Sequence, residues 1–489
     1  MTAGTSRNVE RPSRLALLFD AIFSRHGASS RDSRLALAAL VVLAVLALRV
    51  IVEAVPIAGS VASELDVGGW NRDFVQEYLV ARAVQDGRDP YVPLVDLAGD
   101  YLPAAVARSL PNPTPHPPTL IPFIRPLGTL PFEMAGLVWL GLQLVAVVGL
   151  ALVLAAWCRG GKLAGRRSLR DLLLAVALVL VWPPTAVDIL QGQLGLVLTA
   201  LFVAGWYAAA RGHERLAGIA LGLAMSVKLV PGLLLLHFLI RRQFRVVGWS
   251  ALTFGTVALT ALSYLGVGPF LTYMSQAVPQ TSEIWLASYW NNSVFGALGR
   301  ALGMSTRLLP LVEAPALAVP LALLGAGSLC LAALYLDARA ASRSKGSELR
   351  AESGVEFAIW VVVMLLVSPV VWYHYFVSLL FPLAVLGRLI ARRGWRGPDL
   401  SWLLAGTVVV AALPGVGVGL RRIMPGFEPL GETLSALAYA GSVVPMLGLL
   451  LLLGLLAREQ YWLAPVPSRV ASKRRVPTKL LSLERGIAE

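Results

Sequence analysis

Asp73 and Glu77 stand one helical turn apart in the stretch Asp73-Phe74-Val75-Gln76-Glu77-Tyr78, a spacing that puts both carboxylates on one side of a helix. An Asp in that place serves either as an N-terminal cap or as a base. As a base it would take the proton of an attacking hydroxyl. Where the leaving group is a phosphate, a second carboxylic acid is unnecessary, and one carboxylate with cations that steady the departing charge suffices. Two cations fit that part. Lys228 lies inside an apolar stretch, where an ammonium is costly unless it lines a polar cavity, and His374 lies in Ser368-Pro369-Val370-Val371-Trp372-Tyr373-His374-Tyr375. A His among aromatics can equally be a carbonyl-bonded interfacial residue.

Other residues could line such a site. Ser288-Tyr289-Trp290-Asn291-Asn292-Ser293, followed by Arg300, is an aromatic and amide cluster of the kind that stacks on sugar rings and bonds their hydroxyls. Gln191-Gly192-Gln193, with Asp188 just before it, is either a tight polar turn or a pocket lining. His116 is set among prolines and is either an exposed loop His or a headgroup contact. Arg49 and Glu53, one turn apart, most simply neutralise each other. The cysteines, Cys158 and Cys330, have no metal-ligand spacing and no framework pattern. No metal site and no cofactor are expected.

The elements that position these residues are membrane helices. Of 489 residues, 57% are hydrophobic and 14% charged, and the mean hydropathy is +0.70, which no water-exposed surface tolerates. Apolar runs near the 20-residue span length recur along the chain. Spans are predicted at 34–57, 132–157, 171–190, 194–210, 245–267, 315–338, 355–371, 373–391, 400–420 and 434–457 within one membrane domain, 34–457. Basic tails, 1–33 and 458–489, flank it. The net charge of +14 sits in short clusters between apolar runs, a cytoplasmic signature that argues against nucleic acid. Both termini are therefore expected in the cytoplasm, and residues 58–131 and 269–313 become long extracytoplasmic loops.

Residues 216–240 do not fit a single crossing, because both flanks are basic and want the same side. A hairpin of two half-helices broken at Lys228–Pro231 resolves the conflict, Pro231 lacking an amide donor and disfavouring helix just before it. Counting both halves gives about twelve membrane helices. In the first loop, apolar residues at 74, 78, 81 and 84 or at 75, 79 and 83 predict an amphipathic helix lying on the membrane and ending at Gly87. Residues 119–127, after the prolines, are too short to span.

In order and spacing these pieces resemble glycosyltransferase family 87, the polyprenol-phosphate-mannose-dependent alpha-(1,2)-mannosyltransferases. The likeness covers roughly residues 35–457. It rests on Asp73-Phe74, Gly87-Arg88-Asp89-Pro90-Tyr91, Pro117-Pro118, Gln191-Gly192-Gln193, Ala217-Gly218, Lys228-Leu229-Val230-Pro231, Asn292-Ser293 and Trp372-Tyr373-His374. The resemblance implies a GT-C-like all-α polytopic membrane fold with amphipathic helices in the two long loops. It implies inverting transfer of a sugar, mannose or arabinofuranose, from a polyprenyl-monophosphate carrier to a glycolipid or glycan hydroxyl outside the cytoplasm. Asp73 carries over as the base. His374, Lys228 and Arg300 would hold the donor phosphate, and Glu77, Tyr289, Asn292, Gln193 and His116 would contact substrate. Gly195 stands where the family pattern Gly-Gln-x-Asn has Asn. The rival class is a secondary transporter or flippase, which also uses broken helices; it would carry an inverted repeat, and none is visible. A subunit of an envelope-synthesis complex is the third reading.

Overall fold

In a computed structural model, residues 72–102, 114–159, 166–306, 308–343, 354–392 and 432–462 are described, with isolated positions at 44–50 and 406–407. Most of the predicted first span, the Arg49–Glu53 pair, most of the 400–420 span and most of both tails lie outside them. Every regular element among the described residues is helical. The main helices are α1 (Arg72–Gln85), α2 (Leu94–Tyr101), α3 (Phe132–Cys158), α4 (Arg166–Val181), α5 (Pro183–Leu190), α6 (Gly195–Ala210), α7 (Glu214–Val227), α8 (Leu235–Ile240), α9 (Phe244–Leu265), α10 (Val278–Trp285), α11 (Val294–Ala301), α12 (Pro315–Arg343), α13 (Val355–Val367), α14 (Leu380–Arg392) and α15 (Glu432–Trp462).

Five described helical stretches are long and apolar enough to cross a bilayer, six if α4 and α5 count as one bent span. This is a multi-pass membrane protein. Shorter apolar helices are Gly195–Ala210, Val230–Ile240 and Val355–Val367. α13 is the pillar of the larger apolar core, with every residue from Val355 to Leu366 buried. Ser368 and Pro369 end it, since the proline disfavours helix in the residue before it. The predicted span 171–190 is bent: α4 and α5 meet at 72°. Pro183 and Pro184 lack the amides that would continue the ladder through Trp182.

The predicted hairpin is present. α7 stops at Val227, Lys228 is extended (φ −144°, ψ 142°), and a 3-10 turn, Val230–Leu234, leads into α8. Its basic flanks meet, with Arg245 3.7 Å from Glu214. α7 then runs alongside α9 in the same direction. A Cβ on Gly218 would lie 2.6 Å from the Val246 carbonyl oxygen, and one on Gly222 would lie 2.6 Å from that of Ser250. Small residues one turn apart therefore let the two backbones touch. The returning limb is pinned by a buried charge network. His237 Nδ1 lies 2.6 Å from Asp337 Oδ2, Trp360 Nε1 donates to that oxygen, and Arg241 reaches both Asp337 and Glu356.

The first loop departs from expectation. α1 ends before Gly87 (φ +70°), as predicted, but its apolar residues are covered by protein. Both apolar arcs are covered, since Phe74, Tyr78 and Ala81 are buried along with Val75, Leu79 and Ala83. The two arcs that read as alternatives for one lipid-facing stripe together make a core helix. It packs against α2, the 125–129 turn and the start of α3, with Phe74 5.3 Å from Trp139 and 5.7 Å from Phe132 between ring centres. This second apolar core carries the candidate site.

Candidate functional site

Each acidic side chain of the site is held by a different device. Asp73 sits in the first turn of α1, the residue partly open but its carboxyl surrounded by protein. It accepts from Gln76 Nε2 (3.1 Å) and from the Gln193 side chain. Gln193 is aimed there by the turn between α5 and α6. Gly192 takes φ +66° in that turn, Trp139 Nε1 donates to the Gly192 carbonyl (2.7 Å), and Gln143 Nε2 donates to the Gln193 carbonyl (2.7 Å) and the Asp188 carbonyl (3.0 Å). Asp188, fully buried, accepts at Oδ1 from the Gly195 amide and at Oδ2 from the Leu196 amide, both at 3.0 Å. It thereby satisfies the first donors of α6 and complements that helix's positive end. Of its two sequence readings, the polar turn is the one its bonds describe. They also explain the departure at residue 195, where any Cβ would lie 2.3 Å from Asp188 Oδ1.

Lys228 comes from the hairpin break. Its Nζ donates to the Tyr375 hydroxyl (2.8 Å) and stands 4.1 Å from the centre of the Tyr375 ring. Asp73 and Asp188 both lie within its electrostatic reach. His374 belongs to the 3-10 segment Tyr373–Leu379, which is seated on the α4–α5 bend by Trp182 Nε1 donating to the Phe376 carbonyl (3.0 Å). The His374 ring is buried, its Nε2 has no hydrogen-bond partner among the described residues, and it feels both Lys228 and His116. Asp73, Gln193, Lys228 and His374 thus gather from four separate parts of the chain. Burial raises the Asp73 carboxyl above its usual range; the Gln193 bond opposes this, Glu77 adds to it, and His116 and Lys228 pull it back.

Several expected substrate contacts are engaged elsewhere. Glu77 and His116, expected to touch substrate, are 3% and 7% exposed and face each other, with Oε1 2.6 Å from Nδ1. The reading of His116 as an exposed loop residue fails because Tyr91 donates to its carbonyl (3.0 Å) and Tyr273 to that of Pro115 (3.4 Å), which folds the proline segment inward. Arg300, expected on the donor phosphate, is fully buried and donates through Nη1 to the carbonyls of Ser288 (2.6 Å) and Asn291 (2.8 Å). Asn292, expected on sugar, donates from Nδ2 to the Trp290 carbonyl (3.0 Å) and from its amide to the Val371 carbonyl (2.8 Å). These bonds fasten the second loop. Tyr289 is half-buried against Trp290, 4.9 Å between ring centres. Tyr375 went unassigned in the sequence, since nothing local ties it to a lysine 147 positions away.

The profile of glycosyltransferase family 87 matches residues 115–369, just over half of the chain. This chain belongs to glycosyltransferase family 87. The matched stretch holds His116, Gln193, Lys228, Asn292 and Arg300, while Asp73, Glu77 and His374 lie outside it. A relative, the polyprenol-phosphate-mannose-dependent alpha-(1-2)-phosphatidylinositol mannoside mannosyltransferase of Mycolicibacterium smegmatis, is 33% identical over 208 residues, 41% of this chain and 43% of that one. Its namesake in Mycobacterium tuberculosis is 29% identical over 366 residues, 71% and 74% of the two chains. The corresponding pentamannoside mannosyltransferase of M. smegmatis is 28% identical over 315 residues, 62% and 68%. Among solved structures, ArnT from Cupriavidus metallidurans bound to undecaprenyl phosphate overlays with a TM-score of 0.40 at 16% identity, covering 87% of this chain and 78% of that one. As a family-87 member with several membrane helices, the protein is a membrane glycosyltransferase.

Proposed function

We propose that this protein transfers a mannosyl unit, with inversion, from a polyprenyl-phosphate carrier to a hydroxyl of a glycolipid, with Asp73 as general base. The observation that carries the reading is that Lys228 lies within electrostatic reach of both the Asp73 carboxylate and His374, whose Nε2 has no hydrogen-bond partner among the described residues. The acceptor hydroxyl attacks the anomeric carbon as its proton passes to Asp73. The bond from that carbon to the phosphate oxygen breaks, and its electron pair leaves with the polyprenyl phosphate. Lys228 and His374 stabilise the departing charge, which fixed groups in a poorly hydrated site do more effectively than water. No cofactor beyond the lipid-linked donor is called for. Mannose as the sugar and a phosphatidylinositol mannoside type of acceptor are supported by the names of the mycobacterial relatives. The basic connectors support cytoplasmic termini and a site on the extracytoplasmic face, where polyprenyl-phosphate sugars would be used.

The test is incubation of the purified protein with polyprenyl-phosphate-mannose and, separately, polyprenyl-phosphate-arabinose, each with a glycolipid acceptor. Consumption of the mannose carrier alone, lost in Asp73→Asn, is the expected result. Consumption of the arabinose carrier alone would overturn the donor assignment.

A further inference from the structure

We infer that His116-Pro117-Pro118-Thr119 is a spacer that fixes how far the base stands from the phosphate-binding lysine, which makes His116, Glu77 and Thr119 positioning residues; this rests on the roles proposed for Asp73 and Lys228. The segment is tied at both ends. On one side His116 Nδ1 lies 2.6 Å from Glu77 Oε1, one turn along α1 from Asp73. On the other, Thr119 Oγ1 donates to the Ser226 carbonyl (2.7 Å), two residues before Lys228. Pro117 and Pro118 lie between, their φ angles restricted by their rings, so the two ties are joined by a stiff link. The link is also clamped from outside. Tyr91 and Tyr273, their rings 5.2 Å apart, hold the carbonyls of His116 and Pro115. Asp89 orders that clamp by accepting from the Tyr91 amide (2.9 Å) and the Thr272 hydroxyl (3.0 Å).

In-line transfer needs the attacking oxygen on one face of the anomeric carbon and the phosphate on the other, so the separation of base and cation has a working value. The polar side chains of the spacer are turned toward its ties: Glu77, His116 and Thr119 are all buried. Burying a carboxylate and an imidazole is costly unless they serve each other. A misplacement of about 1 Å in such a link lowers turnover by roughly a hundredfold without weakening binding.

The experiment compares Thr119→Val, which removes the bond to Ser226, with Thr119→Ser, which keeps it, in the full-length purified protein. Thr119→Val is expected to lower kcat while the donor KM holds, and Thr119→Ser to restore kcat. Glu77→Gln, His116→Asn and the double variant should lose kcat to the same extent, as members of one contact do. Thr119→Val with unaltered kcat would overturn the spacer. So would His116→Asn that raises only the acceptor KM, which would place His116 on the acceptor. Asp73→Asn is run beside them. If it abolishes transfer while Thr119→Val is silent, the base stands and the spacer falls; if it retains transfer, the base assignment falls and the spacer with it.

Discussion

The ammonium of Lys228 is held in two ways by Tyr375, as donor to its hydroxyl at 2.8 Å and as a cation 4.1 Å from its ring centre. The tyrosine thus fixes a long side chain that would otherwise sample many rotamers at the broken helix. Removing the hydroxyl in Tyr375→Phe leaves the ring contact but frees the ammonium to turn. A hydrogen bond from a charged group contributes about 1.5–3 kcal/mol, so the donor KM should rise between about tenfold and about a hundredfold. Steady-state kinetics against donor concentration check this; Lys228→Gln should lose more, in kcat as well as KM.

The Asp73 carboxyl gives a second expectation. A base acts as the carboxylate, and burial raises this one above the ordinary Asp value of about 3.9. Transfer should therefore fail as pH drops through that raised value, earlier than for an exposed Asp. Gln193→Leu and Lys228→Gln remove opposing influences and should move the acid limb of kcat/KM upward, whereas Glu77→Gln should move it downward. The stability sign is opposite to that of a salt-bridged Asp. A carboxyl with a raised folded value makes the fold less stable above that value when ionised. Asp73→Asn should thus abolish transfer with an unfolding temperature unchanged or higher.

At Gly195 the constraint is steric. A Cβ there would lie 2.3 Å from Asp188 Oδ1 and 3.3 Å from the His374 carbonyl oxygen. Gly195→Ala should displace the carboxylate that caps α6 and disturb the Gln193 turn, costing about 1–3 kcal/mol as an overpacked site does. Thermal unfolding in detergent measures that cost, and a parallel fall in kcat would report the loss of Gln193 from Asp73.

What the sequence revealed depended on how local the cause was. The hairpin at Lys228 was legible because Pro231 and two basic flanks constrain it within about two dozen residues. The end of α1 was legible from Gly87. The direction of α1 was not, because its two apolar arcs carry a membrane-surface meaning or a core meaning according to what the rest of the loop does. The Glu77–His116 contact and the Tyr375 seat of Lys228 join residues far apart in the chain, and no periodicity encodes such pairings. Arg300 Nη1 and Asn292 Nδ2 bond backbone carbonyls of their own loop, contacts that no sequence pattern announces.

The second loop supplies the last prediction. Asn291 is fully employed: Nδ2 donates to the carbonyls of Leu286 and Pro369, both at 2.8 Å, and Oδ1 accepts from the amides of Ser293 (3.1 Å) and Val371 (2.9 Å). These bonds join the loop to the extended strip before His374, so they set where that imidazole sits. Asn291→Ala takes this partner from three backbone groups, each costing about 1–3 kcal/mol when left buried and unmet, and leaves the Pro369 carbonyl with the Ser293 hydroxyl at 3.2 Å. It should be among the most destabilising single changes in the loop, with loss of activity following loss of fold. Asn292→Ala should be milder, because the bond from the Asn292 amide to the Val371 carbonyl at 2.8 Å survives the substitution. Unfolding temperature and acceptor KM separate the roles. If Asn292→Ala raises the acceptor KM with its unfolding temperature unchanged, Asn292 faces sugar after all; if the temperature falls and the KM holds, it is a fastener like its neighbour.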